Sequence, residues 1–277
     1  MLFLIILIIF VIFLLLLFHC HESECIYDCV IVSAFNLEII DLLKYMKIKK
    51  KITRLDRELY IARYKNKNII LCLTGQGLVN AAMTCQYLID NFKFNMLVFS
   101  GIAGGIEEYL NLGDVVVGSS FAQIDYQKFI YQKDTAPNFP LLYVGIQFQC
   151  DENIGIVMET EYFKNKTVNS TFLYNRNIKH IPELPITEYK VYTEGIVLSS
   201  SQFAGNKEYV KKLRETEYNF VAIDMESSAV ANVCLQNNKQ FVVIRGISDK
   251  ADSPVVEDIE TIVKNVSDYT LKFIDIL

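Results

Sequence analysis

Residues 221–252, VAIDMESSAVANVCLQNNKQFVVIRGISDKAD, decide the fold of this chain. Together with Phe220, the first residues form the short apolar run FVAID, and a second apolar run, QFVVIRGIS, begins at Gln240. Short runs rich in Val and Ile are typical of strands that are buried on both faces of a sheet. The intervening MESSAVANVCLQNN has the apolar spacing of a helix, so this stretch predicts strand, helix and strand in succession.

The same alternation continues towards the N-terminus. Apolar runs predict strands at YDCVIVSA, MLVFSG and GDVVVG, and helical spacing recurs over residues 36–46, 77–91 and 256–277. ELYIARY and NIILCLTG predict a hairpin pair, while residues 125–190 indicate strands joined by long loops. We therefore predict one α/β domain over residues 25–277. It has three layers (αβα), in which helices cover both faces of a central twisted sheet that is mixed but mostly parallel.

Composition argues against a nucleic-acid-binding protein. The formal net charge is -5, and acidic and basic residues are interspersed along the chain. The longest basic run is Lys49–Lys51, which predicts a solvated helix end or loop and not a nucleic-acid surface. Hydrophobic residues make up 52% of the chain, which is enough to fill the core of one large domain.

The first 18 residues contain no polar side chain. Their length lies between the core of a signal peptide and a full membrane span. We predict that residues 1–24 are a signal peptide or an N-terminal membrane anchor, with a buried core helix as the alternative. The rest of the chain is then secreted or lies in an endomembrane lumen, and it contacts a membrane only if the segment stays uncleaved.

Two further features bear on that prediction. Asn165, Asn169 and Asn265 each begin an acceptor pattern for N-glycosylation, which is common by chance. Among the seven cysteines, Cys20 and Cys25 could form a disulfide in an oxidising compartment, and the sequence leaves this open.

Carboxylates follow three of the predicted strands. Glu38 and Glu226 lie in the first turns of predicted helices, and Asp249 directly follows QFVVIRGIS. Each has a structural alternative as a helix or turn cap or as a partner of the helix dipole. In α/β sheets, however, sites form at the carboxyl ends of strands. Cleavage of a glycosidic bond needs an acid, a base and an acceptor for sugar hydroxyls, which these three residues could supply.

Other catalytic classes lack their motifs. The segment Gly101–Gly105 (GIAGG) predicts a glycine-rich turn at the end of the strand MLVFSG. It is not a dinucleotide-binding GxGxxG, and the chain has no P-loop and no GxSxG elbow. The histidines His19, His21 and His180 have no spacing suited to a metal. We therefore predict neither a cofactor nor a metal site, and a zinc enzyme or serine hydrolase is disfavoured.

Four segments together resemble one family: SAFNLEIIDLL, TGQGLVNAAM, SGIAGGIEEYLNLGDVVVG and residues 221–252. They resemble the purine nucleoside phosphorylase/uridine phosphorylase superfamily, and within it most closely the methylthioadenosine/S-adenosylhomocysteine nucleosidases and plant bark storage proteins. The resemblance runs from about residue 28 to the C-terminus and is weak over residues 125–190. It implies a nucleoside phosphorylase-like fold, cleavage of a purine nucleoside without a cofactor, and a homodimer or hexamer.

The resemblance also implies a role for individual residues. Glu38 matches the base that activates the attacking water, and Glu226 matches the carboxylate that binds the ribose hydroxyls. Asp249 matches the acid that protonates N7 of the purine, and burial would help it to keep its proton. Met225 matches a residue packed on the sugar, and Phe203 an aromatic stacked on the base. Further substrate-site positions implied in this way are Ala34, Ala103, Gly104, Ala204, Arg245 and Ser248.

Departures from the family pattern leave alternatives open. Asp224 stands where Glu is more usual, and Ile102 occupies a position that is often Ser. Neither SAFNLE nor MLVFSGIAGG contains the arginines that bind phosphate in the phosphorylases, which favours hydrolysis. Arg54 and Arg57 could still reach the site of a neighbouring subunit, so a phosphate-dependent phosphorylase stays an alternative. A storage protein with weak or no activity is another.

Overall fold

A computed structural model of the chain describes residues 26–124, 127–129, 157–163, 167–178, 181, 188–202, 204–216, 218–252 and 258–277. The strands in these residues are β1 Tyr27–Ser33, β2 Lys47–Arg54, β3 Arg57–Tyr64, β4 Lys67–Leu73, β5 Phe94–Gly105, β6 Val115–Val117, β7 Ser120–Gln123, β8 Gln127–Phe129, β9 Val157–Phe163, β10 Thr167–Asn175, β11 Val191–Tyr192, β12 Ile196–Ser199, β13 Phe220–Asp224 and β14 Gln240–Asp249. The helices are α1 Asn36–Lys44, α2 Leu78–Asn91, α3 Lys207–Arg214, α4 Ser227–Gln236 and α5 Ile259–Asp275.

Strand β5 lies at the centre of the sheet. One path through the sheet runs β2-β3-β4-β1-β5-β13-β12-β7-β10-β8, and β14 also pairs with β5 and leads to β6 and β11. The strands around the centre, β4, β1, β5 and β14, pair in parallel, whereas β2 with β3 and β3 with β4 are antiparallel. The predicted α/β class with a mixed, mostly parallel central sheet is confirmed.

Helices cover both faces of the sheet because the central strands send alternate side chains to opposite sides. In β1, Val30 and Val32 pack in one core cluster with residues of α2 and α4. Their neighbours Cys29 and Ile31 pack in a second cluster with residues of α1 and α5. The result is the predicted three-layer arrangement, with the carboxyl ends of the central strands between the helix layers.

The structure differs from two sequence-based predictions. Strand β5 continues through Gly105, where the glycine-rich segment was predicted to turn, because Gly104 pairs with both β13 and β14. Lys49–Lys51 lie in β2, an exposed strand at one end of the sheet, and not in a helix end or loop. Lysines suit such a position, since they stay in water and discourage pairing with another chain.

Candidate active site

A cavity of about 230 Å³ lies where β1, β5, β13 and β14 end. It brings together residues that are far apart in the sequence, including the three predicted carboxylates. The residues that line it are Ala34, Phe35, Glu38, Gln76, Ile102, Ala103, Gly104, Gln202, Ala204, Ile223, Asp224, Met225, Glu226, Ser248, Asp249 and Ile259. Of the other predicted site residues, Arg245 is fully buried nearby and Phe203 lies outside the described residues.

Glu38 is held by backbone donors from two elements. It lies in the first turn of α1 and is 1% exposed. Its Oε2 accepts from the amides of Ala34 (2.6 Å) and Phe35 (3.3 Å), and its Oε1 accepts from the amide of Ile102 (2.8 Å). Burial raises the pKa of Glu38, and the charge of Arg245 and the three amides oppose this shift. A buried carboxylate with a raised pKa is a stronger base than an exposed one.

Glu226 is the N-cap residue directly before α4, and its side chain contacts the loop between β4 and α2. Its Oε1 accepts from the amide of Gly77 at 2.8 Å, and the side chain is almost fully buried. Burial, and after it the negative charge of Asp224, raises the pKa of Glu226 to about 7. Arg245 and the Gly77 amide oppose the shift. Its protonation state therefore changes close to neutral pH.

Arg245 is the cation shared by these carboxylates. Its Nη2 lies 2.7 Å from Asp224 Oδ2 and 3.5 Å from Glu226 Oε2, and its Nη1 lies 3.8 Å from Glu38 Oε1. Neither Nη atom has a hydrogen bond of good geometry, so these contacts are ion pairs. The Nε atom donates to Ser227 Oγ at 3.1 Å. One fully buried cation thus faces three buried acids.

Asp249 ends β14 on another wall of the cavity. Its Oδ2 accepts from Ser248 Oγ at 2.7 Å, and its Oδ1 accepts from the amide of Ala251 at 2.7 Å. Ser248 Oγ also lies 3.2 Å from the carbonyl oxygen of Ala103, so the serine is placed between the two. Burial raises the pKa of Asp249, against the effect of its two donors. This carboxyl group can therefore hold a proton at higher pH than an exposed aspartate.

Two glycines of β5 leave room for these side chains. A Cβ atom on Gly104 would lie 2.8 Å from Asp249 Oδ1, which is closer than real Cβ atoms approach. A Cβ atom on Gly101 would overlap both Arg245 Nη1 and Glu38 Oε1. The glycine-rich segment therefore admits the acids and the arginine, a function that its sequence alone did not distinguish from a tight turn.

Gly101→Ala is expected to lower catalytic efficiency by at least about tenfold, since a displacement of a reacting group by about 1 Å costs that much or more. The added methyl group must displace the side chains of Arg245 and Glu38, both of which are buried. Gly105→Ala is the matched control in the same strand, because the nearest atom to its Cβ would be a methyl carbon of Ile247 at 3.0 Å, and the next, the carbonyl oxygen of Asp249 at 3.5 Å, is at an ordinary contact distance. Equal steady-state rates for the two variants would contradict this role of Gly101.

Sequence reasoning missed the loop between β4 and α2 as part of the site. Gln76 lines the cavity, and the amide of Gly77 binds Glu226, which is 149 residues further along the chain. The segment TGQG was part of the family resemblance, so a signal existed, but no role was assigned to it. Phe35 and Gln202 also line the cavity without having been predicted.

Comparison with known proteins gives a consistent picture. A family model described as the phosphorylase superfamily matches residues 28–277. The 5′-methylthioadenosine/S-adenosylhomocysteine nucleosidase of Buchnera aphidicola is 27% identical over 252 residues, which cover 89% of this chain and 95% of the relative. The enzyme of the same name from Staphylococcus aureus is 26% identical over 213 residues, covering 74% and 81%.

Solved structures share the fold. The 5′-methylthioadenosine/S-adenosylhomocysteine nucleosidase of Neisseria meningitidis, in complex with methylthio-immucillin-A, has a TM-score of 0.67 and 21% identity, covering 90% of this chain and 99% of that one. Futalosine hydrolase of Helicobacter pylori has a TM-score of 0.64 and 22% identity, covering 90% and 97%. At such identities the likeness establishes the architecture alone.

The prediction of a secreted or membrane-anchored protein is wrong. It rested on the hydropathy of residues 1–18, whereas the relatives that the chain matches are nucleosidases of bacteria. Within the part of the chain that the structure describes, no helix is long and apolar enough to cross a membrane. Residues 1–18, Cys20 and Cys25 lie outside the described residues.

Proposed function

The chain belongs to the phosphorylase superfamily, and on that premise we propose that it is a purine nucleosidase, which hydrolyses the N-glycosidic bond of adenosine-type nucleosides. One observation carries the proposal: a single cavity is lined by three acids that lie at the ends of three different strands, Glu38, Glu226 and Asp249. The nucleosidases named above act, by their names, on 5′-methylthioadenosine and S-adenosylhomocysteine. Both compounds fall in the proposed substrate class.

In this proposal Asp249 donates a proton to N7 of the purine. Cleavage of the bond between C1′ and N9 leaves electrons on the base, and adenine is a poor leaving group unless it is protonated. Burial raises the pKa of Asp249, which favours the protonated carboxyl group that this role requires. Ser248 fixes the orientation of the carboxyl group by donating to it at 2.7 Å.

Glu226 and Glu38 act on the sugar and on the attacking water. As an anion, Glu226 accepts from vicinal hydroxyl groups, and its charge favours the oxocarbenium character that develops on the sugar. Glu38 accepts a proton from water as the water attacks C1′. Ala34, Ala103, Gly104, Ala204 and Met225 line the cavity and would contact the substrate.

The distribution of positive charge favours water over phosphate as the nucleophile. No Lys or Arg is among the described residues that line the cavity. Arg245 is fully buried and already faces three carboxylates. A phosphate dianion entering this cavity would meet uncompensated negative charge, which is costly in a poorly solvated site.

The activity is expected to depend on pH through Glu226. Its pKa of about 7 means that it is neutral in more acidic solution and becomes an anion as the pH rises through that value. Catalytic efficiency should therefore increase as the pH rises through about 7. Steady-state rates across pH check this, and a Glu226→Gln variant that keeps the rise near pH 7 would contradict the assignment.

We also propose that the chain forms a homo-oligomer, as the family resemblance implies. The helices that begin beside the cavity carry exposed apolar side chains, Leu37 and Ile40 on α1 and Val79 and Met83 on α2. The two residues of each pair are three or four positions apart and therefore lie on one face of their helix, and grouped exposed apolar side chains mark surfaces that bind a partner. Sedimentation equilibrium should give a multiple of the monomer mass of 31.8 kDa.

The proposed reaction is tested by incubating phosphate-free protein with adenosine, methylthioadenosine, S-adenosylhomocysteine and inosine. Release of the free base is followed by chromatography. We expect release from at least one of the adenine nucleosides without added phosphate. Release only after phosphate is added would identify a phosphorylase, and no release under any condition would support a storage protein.

A further inference from the structure

Asp224 lines the cavity but is already fully engaged by the protein. Its Oδ1 accepts from Ser199 Oγ (2.6 Å) and from the amides of Glu226 and Ser227 (3.1 Å each). Its Oδ2 accepts from Ser227 Oγ and lies 2.7 Å from Arg245 Nη2. Because both oxygens have protein partners, the side chain is poorly placed to bind a substrate.

The other contacts of Arg245 show what Asp224 does to it. The guanidinium is stacked over the ring of Phe99 at 3.9 Å, and its Nε is held by Ser227. With Nη2 drawn to Asp224, the distances to Glu226 Oε2 and Glu38 Oε1 are 3.5 Å and 3.8 Å. Both exceed the usual length of a charge-assisted hydrogen bond, about 2.7–2.9 Å.

We propose that Asp224 is a positioning residue that anchors Arg245 beyond hydrogen-bonding reach of the two catalytic carboxylates. Glu38 and Glu226 then keep lone pairs for water and for the sugar hydroxyls, while the nearby cation still balances part of their charge. The roles of these two residues rest on the proposed function. The placement of the arginine is a property of the site and can be tested without any substrate.

A purely structural role for Asp224 makes a different prediction. Asp224 also ties the start of α4 to β12 through Ser199 and the two amides, so its loss would lower stability in either case. Only the positioning role requires that Arg245 approaches Glu226 when Asp224 loses its charge. That approach lowers the titration midpoint of Glu226 further than the loss of the Asp224 charge alone, so the positioning role is measured as the part of the fall that depends on Arg245.

The charged groups that face Glu226 come from three elements. Asp224 approaches from β13, Arg245 from β14 and Glu38 from α1, and the uncharged amide of Gly77 donates to it from the loop before α2. The negative charges of Asp224 and Glu38 raise the pKa of Glu226, and Arg245 lowers it. Replacing Asp224 by asparagine removes one negative charge and frees Arg245 to approach Glu226. Both effects move the titration of Glu226 to lower pH.

The experiment is a ¹³C NMR titration of protein labelled at the side-chain carboxyl carbon of glutamate. The Glu226 signal is assigned by its absence in Glu226→Gln. In Asp224→Asn the midpoint of Glu226 should fall by about one pH unit or more, the usual size of a neighbouring-charge effect. Ser199→Ala is the matched control, because it removes a hydrogen bond to Asp224 but leaves every charge in place, and its midpoint should equal that of the wild type. The fall should be smaller when Asp224→Asn is made together with Arg245→Met, because no guanidinium is then present to approach Glu226. An unchanged or higher midpoint in Asp224→Asn, or an equal fall with and without Arg245, would overturn the proposal.

Asp224→Glu covers the case in which Asp224→Asn does not fold, as judged by circular dichroism. It retains the negative charge, so the Glu226 midpoint should stay at or above the wild-type value, and a fall would also overturn the proposal. In an active enzyme, the acidic limb of the pH–rate profile should move with the midpoint. If the wild type releases no base, the proposed function fails while the NMR titration still decides the role of Asp224.

Discussion

Replacing Asp249 by asparagine is expected to slow the release of adenine from a nucleoside by about 10²- to 10⁴-fold, the usual contribution of a general acid. The amide has almost the same shape as the carboxyl group, and its oxygen can still accept from Ser248 or Ala251 as the carboxylate does. It has no acidic proton to give to N7. Steady-state rates with adenosine or methylthioadenosine measure the effect.

Two controls separate proton donation from general damage to the site. A riboside with a p-nitrophenyl leaving group needs no proton from the enzyme, so Asp249→Asn should cleave it at close to the wild-type rate. Asp252→Asn removes a neighbouring acid that is not among the residues lining the cavity and that affects the pKa of Asp249 less than burial or either hydrogen bond does, so it should stay within a few-fold of the wild type on every substrate. Wild-type rates of adenine release in Asp249→Asn would refute the assigned role.

Glu38→Gln is expected to reduce hydrolysis by a similar factor, about 10²- to 10⁴-fold, because the attacking water loses its base. The change also affects stability. The carboxylate accepts from three backbone amides, of Ala34, Phe35 and Ile102, whereas a glutamine must turn its own NH₂ group towards at least one of them. Leaving one buried donor unsatisfied costs about 1–3 kcal/mol.

Two measurements separate the loss of the catalytic base from the loss of stability in Glu38→Gln. Thermal unfolding reports the loss of stability, and calorimetric titration with adenine reports whether the base still enters the cavity. We expect a lower melting temperature, retained binding of adenine and strongly reduced turnover. A folded variant that hydrolyses nucleosides at the wild-type rate would show that another group activates the water.

Local sequence identified the three acids but not their surroundings. The alternative prediction, that Asp249 caps a turn, is correct for one of its two oxygens, since Oδ1 accepts a hydrogen bond from the amide of Ala251 two residues later. Glu38 likewise accepts from the amide of Phe35 at the start of its own helix. Glu226 does not cap its own helix and instead binds the Gly77 amide. A cap and a catalytic group can thus be the same residue, which is why residue type alone could not decide.

The features that sequence reasoning missed all depend on contacts between distant segments. The passage of β5 through its glycines follows from two neighbouring strands that pair with Gly104. The sharing of Arg245 among Glu38, Asp224 and Glu226 requires β14, α1 and the start of α4 to meet. No local pattern encodes either arrangement. The strands and helices were predictable because their apolar periodicity is local.

The identity of the sugar product tests the central claim most directly. Wild-type protein is incubated with methylthioadenosine in phosphate buffer, and the products are separated and identified by mass spectrometry. Since the lining of the cavity offers no Lys or Arg among its described residues, we predict free adenine and the free sugar even when phosphate is saturating. Formation of the sugar 1-phosphate, or no release of adenine at all, would contradict the account.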